Sequence, residues 1–239
     1  MQCSALINQK LVNLPLPAEQ ILSALQRDFG DFDRGNYSRE ITYSVTGKDQ
    51  GNLHELGYQY HTFKYVNQRT EVVSVSDGKG GSRLETRTVY DTYYRHCVVI
   101  DFPWVRNVKV QSDGQRAFKH RVDSAHPDFN RIFTASGANQ VECVKFLKPT
   151  TILHLLDMAN HYGDLNLEFS DMGKLCMSFN NDDILEPYPN KLAMSEPNEL
   201  YNALVAGISL PKLNYTLDMI HTLAEQHDDN FAQPQKVTA

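Results

Sequence analysis

The chain has 239 residues, of which 41% are hydrophobic and 22% charged, and its formal net charge is −6. These proportions are typical of a globular protein and exclude an intrinsically disordered chain. The sequence has no apolar run of about 18 residues and no basic start followed by an unbroken apolar stretch, so it predicts neither a spanning helix nor a signal peptide.

The first half of the chain is predicted to form one helix and then a series of strands. Ile21, Leu22, Leu25 and Phe29 have the spacing of an amphipathic helix, and Gly30 is well placed to end it. Beyond that point, polar and apolar side chains alternate with the period of two that is typical of strands. The predicted strands are 41–45, 58–66, 71–76, 83–89, 93–102 and 107–111.

The glycines of segment 77–81, DGKGG, predict a hairpin turn between two of these strands. The segment resembles a phosphate-binding loop in composition only, because such a loop joins a strand to a helix.

The second half is predicted to hold a central helix, a short hairpin and two terminal helices. Ile152, Leu155, Leu156 and Ala159 form a helical stripe within 149–161. Alternation then predicts strands at 165–169 and 175–179, and apolar spacing predicts helices at 197–208 and 211–226.

Together these elements predict an α+β fold. We expect a largely antiparallel sheet of hairpins, packed with an N-terminal helix, a central helix and two C-terminal helices. The predicted division is 1–125, the N-terminal helix with the β-hairpin region, and 126–239, the region of helices and a hairpin. One continuous domain is the alternative.

The four cysteines, Cys3, Cys97, Cys143 and Cys176, are too far apart in the sequence to form the close pairs of a zinc site. They predict free thiols in a reducing compartment, and hence a cytoplasmic protein. The sequence indicates no cofactor.

Charge is unevenly distributed along the chain. Residues 83–121 contain eight Arg or Lys against four Asp or Glu, whereas residues 182–229 contain nine acidic and two basic residues. Such asymmetry can reflect two faces of one domain or two contact surfaces. As contact surfaces we expect a basic strand-and-turn region, 106–121, and the acidic terminal helices. The candidate binding residues of the basic region are Arg106, Lys109, Arg116, Lys119, His120 and Arg121.

The same basic residues also suggest nucleic-acid binding as an alternative, because Arg116, Lys119, His120 and Arg121 surround Phe118. The acidic charge of the whole chain makes a nucleic-acid partner the weaker hypothesis.

A metal-dependent or histidine-dependent enzyme is the other alternative. His154, Asp157 and His161 lie on one side of the predicted central helix at spacings that suit metal ligands, and His126 is a further candidate for a hydrolase. A solvated polar helix face explains the same spacing, and we find none of the common hydrolase, metalloprotease, kinase or dinucleotide motifs. No catalytic residue is predicted.

One stretch of the second half resembles a known family. Phe129 and Phe133, the sequence FLKP at 146–149, LNLEF at 165–169 and LEP at 185–187 are similar to the C-terminal part of bacterial domain-of-unknown-function family 3137. Members of that family typically begin with membrane-spanning helices and have no established activity. This sequence predicts no such helices, which leaves the membrane anchor open. The resemblance therefore implies the fold and a bacterial origin, and it gives no catalytic residues. It adds, as an alternative to a purely cytoplasmic protein, a membrane-associated assembly at the cytoplasmic face without a spanning segment in this chain.

The leading hypothesis from the sequence is a non-enzymatic bacterial binding or assembly domain. It would act through contacts with a protein partner or with a membrane-associated assembly. The pattern that favours it is a complete set of core-forming stripes without a catalytic constellation.

Overall fold

The computed structural model describes residues 12–13, 16–76, 81–180, 183–185 and 210–231. Helices among these residues are α1 (Ala18–Asp28), α2 (Pro127–Ile132), α3 (Gln140–Phe146), α4 (Pro149–His161) and α5 (Pro211–Phe231), with a 3-10 turn at Gly30–Asp33. Strands are β1 (Val12–Asn13), β2 (Ser38–Gln50), β3 (Glu55–Ser76), β4 (Ser82–Asp101), β5 (Val108–Gln111), β6 (His120–Val122), β7 (Thr134–Gly137), β8 (Asn166–Phe169) and β9 (Lys174–Phe179).

Within the described residues, the strands form one sheet in the order β1-β2-β3-β4-β9-β8-β5-β7-β6, and the pairings between them are antiparallel. The predicted α+β class is confirmed. Strands from both sides of the predicted division at residue 125 hydrogen-bond to each other, since β4 pairs with β9 and β5 pairs with β7 and β8.

Two hydrophobic clusters lie against the sheet. The larger includes Tyr58, Val98 and Met177 from the strands together with Leu155 of α4 and Leu217 of α5. In the smaller, α1 packs its apolar side chains against the other face of the sheet. The residues of this second cluster are Ile21, Leu25, Phe29, Phe32, Ile41, Phe63, Cys97, Val99 and Cys176.

The long apolar periodicities predicted their elements well. The central helix has the bounds expected from the sequence, Pro149–His161, and α1 lies inside the predicted first helix. The last helix continues five residues beyond the predicted end at 226. Predicted strands 58–66 and 71–76 are parts of one 22-residue strand, and 83–89 and 93–102 belong to one 20-residue strand, which ends one residue before the predicted end at 102.

Short elements were missed, because helices of six or seven residues and strands of three or four carry little periodicity, although β5 and β8, also four residues long, were predicted. The structure adds β6, β7, α2 and α3 between residues 120 and 146. At α3 the cap is readable in retrospect, since the side chain of Asn139 accepts a hydrogen bond from the amide of Val141 at 2.7 Å.

Two predictions concern residues outside the described part of the chain. The whole predicted helix at 197–208 lies outside the described residues. Residues 77–80 of the predicted hairpin turn also lie outside them. The strands on either side of that turn do pair, with Ser76 opposite Ser82. Among the described helices, none is long and apolar enough to cross a membrane.

Candidate interaction surface

Strands β3 and β4 extend well beyond their neighbours in the sheet. β2 pairs with β3 only as far as Val66, and β9 pairs with β4 only from His96 onwards. From Asn67 opposite Asp91 to the end of the hairpin, the described residues of β3 and β4 pair with no third strand. We call residues 67–76 and 82–91 the β-arm. At the usual rise per residue, its ten residue pairs project about 33 Å.

One face of the β-arm carries no charged side chain. Alternation along each strand places the same set of residues on this face: Gln68, Thr70, Val72, Ser74, Ser76, Ser82, Leu84, Thr86, Thr88 and Tyr90. The apolar members are strongly exposed, with 76% of Leu84, 61% of Val72 and 51% of Tyr90 accessible to solvent. Exposed apolar side chains grouped on one face are typical of an interaction surface.

The opposite face of the β-arm is charged and its charges are paired. Nε of Arg69 lies 2.6 Å from Oδ2 of Asp91 across the two strands. Along β4, a terminal nitrogen of Arg83 lies 2.6 Å from Oε1 of Glu85, and Arg87 approaches the same carboxylate at 3.6 Å. These contacts lie at the surface, so each contributes little stability. Because its charged side chains are exposed, this face is hydrated.

Aromatic side chains surround the base of the β-arm. The rings of Tyr37 and Tyr90 lie 4.7 Å apart, and those of Tyr65 and Tyr93 are stacked at 5.2 Å. Tyr94 is 48% exposed. These contacts stiffen the arm where it leaves the sheet, and they continue its accessible aromatic surface towards the body of the protein.

The two edges of the β-arm differ in length. The side chain of Asn36 bonds to the backbone of Gln68, so that the outer edge of β3 starts only at Arg69. The outer edge of β4 has no described strand beside it from Ser82 to Arg95. Neither strand of the arm contains Lys or Pro, residues that commonly protect exposed edges from pairing with another chain.

The predicted basic surface is only partly formed. Lys109 does not belong to it, because only 7% of the residue is exposed and Nζ lies 2.8 Å from Oε2 of Glu168. The prediction failed because β5 is covered on both faces, and β5 pairing with β8 places Lys109 opposite Glu168. Arg116 forms an ion pair with Asp33, and one of its terminal nitrogens donates to the backbone oxygen of Gln26.

The remaining basic candidates are exposed. Lys119, His120 and Arg121 lie on or next to β6, the strand at the end of the sheet that is farthest from β1. Arg106 lies elsewhere, in the turn before β5, where its guanidinium is close to Gly173. The six predicted residues therefore do not form a single patch.

The predicted metal ligands are not brought together with a further ligand. Asp157 and His161 are exposed on α4, whereas Nε2 of His154 lies 2.8 Å from the backbone oxygen of Met219 on α5. The ring of His161 lies 4.7 Å from that of Tyr215. Among the described residues, no group of three His, Cys, Asp or Glu side chains has a geometry that could hold a metal ion.

The structure also contains a buried polar centre that the sequence did not reveal. Both oxygens of Asp31 are occupied: Oδ1 accepts from Arg34 at 2.6 Å and Asn166 at 3.0 Å, and Oδ2 accepts from Arg95 at 2.6 Å and Ser178 at 2.5 Å. Burial opposes ionisation of this carboxyl, but the two guanidinium groups outweigh burial and hold its pKa below the usual value.

A second buried carboxylate, Glu168, lies beside this centre. Its Oε2 accepts from Lys109 at 2.8 Å and from the amide of Gly30 at 2.7 Å, and its Oε1 accepts from Gln111 at 2.9 Å. Burial raises the pKa of Glu168, and the charge of Asp31 raises it further against the opposing effect of Lys109. The sequence could not predict this centre, because it depends on strand register and on where the 3-10 turn docks.

The buried polar centre has a structural role, because it connects secondary-structure elements. Asp31 and Glu168 are each 1% exposed, and their four carboxylate oxygens accept hydrogen bonds from protein donors. The centre attaches the 3-10 turn to β8, β9 and β4, and so holds α1 on the sheet.

No protein-family model, curated protein or solved structure matches this chain. The resemblance to the domain-of-unknown-function family therefore stays a prediction. The β-arm is the surface on which the described residues concentrate exposed apolar side chains and unpaired strand edges.

Proposed function

We propose that this protein is a non-enzymatic binding and assembly domain whose contact element is the β-arm. The observation that carries the proposal is the extension of β3 and β4 by ten residue pairs beyond the described neighbouring strands, with one face uncharged. A partner protein would add a strand to an edge of the arm or cover its uncharged face.

Physical considerations support a role in binding. A two-stranded hairpin alone is marginally stable in water, and it becomes stable when further strands or a covering surface are added. Strand addition supplies backbone hydrogen bonds for affinity, while exposed side chains such as Leu84 and Val72 supply apolar contact. We therefore expect a partner to stabilise the β-arm through backbone hydrogen bonds and apolar contact.

The cysteines support a reducing compartment. Cys97, Cys143 and Cys176 are buried free thiols, and burial raises the pKa of Cys143 to about 11, so that its reactive thiolate is scarce near neutral pH. We propose the cytoplasm, or the cytoplasmic face of a membrane assembly, as the location.

Site-specific photo-crosslinking in the native host tests this function. A photoreactive amino acid at Thr88, on the uncharged face of the arm, should give discrete adducts whose second component is identified by mass spectrometry. The same group at Ala24, an exposed position on α1, should give none. Absence of adducts at Thr88, or equal adducts at both positions, would overturn the proposal.

A further inference from the structure

The outer edge of β4 is long enough to pair with a second copy of this chain. No described strand lies beside it from Ser82 to Arg95, whereas the outer edge of β3 leaves the neighbouring segment only at Arg69 and is therefore shorter. We infer that two copies associate by antiparallel pairing of β4 with β4 around a two-fold axis through Val89. This inference rests on the proposed function of the β-arm.

The charge pattern of β4 is self-complementary in that register. An axis through Val89 places Arg87 of each copy opposite Asp91 of the other, because the two residues lie at equal distances on either side of the axis. On the uncharged face, the same rotation places Leu84 opposite Tyr94 of the second copy. Directly opposed pairs of these kinds are favourable in antiparallel sheets.

Other registers are less favourable. An axis through Arg87 would oppose two guanidinium groups, one through Asp91 would oppose two carboxylates, and one through Thr88 would oppose Glu85 to Asp91. An axis through Thr86 matches Glu85 with Arg87 but uses a shorter part of the unpaired edge. Of these axes, the one through Val89 combines opposite charges with pairing along nearly the whole edge.

The paired edge would also supply a substantial backbone contact. Pairing from Leu84 to Tyr94 involves eleven residues of each copy and gives roughly ten inter-strand hydrogen bonds. The product is a four-stranded ribbon with a continuous uncharged face, which removes one exposed edge from each copy.

Two cysteine variants test the register. In the proposed dimer the two residues at position 89 face each other, at a Cβ separation of about 5 Å, so V89C should be joined in high yield by a short thiol-to-thiol crosslinker. The two residues at position 86 would be about 20 Å apart, and T86C should remain uncrosslinked. The unmodified chain, in which Cys97, Cys143 and Cys176 are buried, gives the background from all native thiols.

Light scattering on the unmodified chain tests association itself. We expect a mass approaching twice 27.2 kDa with increasing concentration, and the monomer mass at all concentrations when residues 67–91 are replaced by a short turn. A mass that stays at 27.2 kDa for the unmodified chain, or crosslinking of T86C in preference to V89C, would overturn this inference. In the photo-crosslinking experiment, adducts at Thr88 that contain only other proteins would refute self-association and would still support the binding function. If Thr88 gave no adducts, both proposals would be refuted.

Discussion

Arg69 on β3 and Asp91 on β4 form an ion pair across the β-arm, with 2.6 Å between Nε and Oδ2. Asp91 is also the residue that would face Arg87 of a second copy. The same carboxylate therefore has one role inside the chain and another between chains. Variants of the two partners separate these roles.

We expect D91N to weaken dimerisation by roughly twofold to thirtyfold, because the two-fold axis removes the contact twice and each cross-strand pair contributes about 0.2–1 kcal/mol. Its effect on the free energy of unfolding should stay below about 1 kcal/mol, as for other surface ion pairs. Sedimentation velocity and urea unfolding measure the two effects. R69Q is the matched control: it removes the pair within the chain and should leave dimerisation nearly unchanged. A larger loss in R69Q than in D91N would contradict the assignment.

The buried centre predicts a large effect at Asp31. D31N should lower the free energy of unfolding by about 3–5 kcal/mol, since it leaves the buried guanidinium of Arg95 without its counter-charge and leaves Arg34 with Asp113 as its remaining carboxylate partner. Urea unfolding followed by circular dichroism measures the change. D123N, at an exposed carboxylate, should have little effect. A loss below about 1 kcal/mol in D31N would mean that the centre does not hold α1 on the sheet.

His61 predicts a dependence of stability on pH. Its Nδ1 lies 2.8 Å from Oγ of Ser44, its Nε2 has no hydrogen-bond partner among the described residues, and burial lowers its pKa to about 4. The folded chain therefore keeps His61 neutral while the unfolded chain protonates it below its ordinary pKa. Stability should fall as the pH decreases from about 6.5 to 4, with a contribution from this residue of about 3 kcal/mol at the lower limit.

The variant H61F tests that contribution, because it retains an aromatic ring and removes the titrating group. The difference in unfolding free energy between pH 7 and pH 4 should be smaller in H61F than in the unmodified chain. Equal pH dependence of the two proteins would show that His61 is not responsible.

The single tryptophan reports on the docking of α5. Nε1 of Trp104 lies 2.6 Å from Oδ1 of Asp228, and the indole packs against His54 with ring centroids 4.4 Å apart. We expect D228A to shift the fluorescence of Trp104 to longer wavelength and to lower stability by about 1 kcal/mol. D218A, at an exposed position on the same helix, should leave the spectrum unchanged. A spectrum that is unchanged in D228A would contradict docking through this hydrogen bond.

The elements that were predicted correctly are those whose periodicity spans many residues. The stripe of Ile152, Leu155 and Ala159 covers nearly two turns, and it defined α4 without any knowledge of the partner surface. The prediction divided β3 in two because Asn67, Gln68, Arg69 and Thr70 are polar on both faces. That polarity marks the point where the strand leaves the core, which a single sequence does not distinguish from a loop.

The candidate site was predicted less well than the fold. Lys109 was expected at the surface because its own segment is basic, but β5 pairing with β8 places it beside Glu168, 59 residues away in the sequence. Likewise, the place of Asp31 just after the predicted first helix gives no sign of its importance, which depends on Arg95 and Ser178 of two distant strands.

The sequence by itself determined the α+β class, the central and first helices, and the hairpin that becomes the β-arm, because each depends on local periodicity and turn chemistry. Only the tertiary structure decided which charges are buried and which strand edges remain unpaired. Burial and pairing depend on register between distant segments, where a shift of one residue moves every side chain to the other face. The arm is recognised as a surface only because β2 and β9 end before β3 and β4 do.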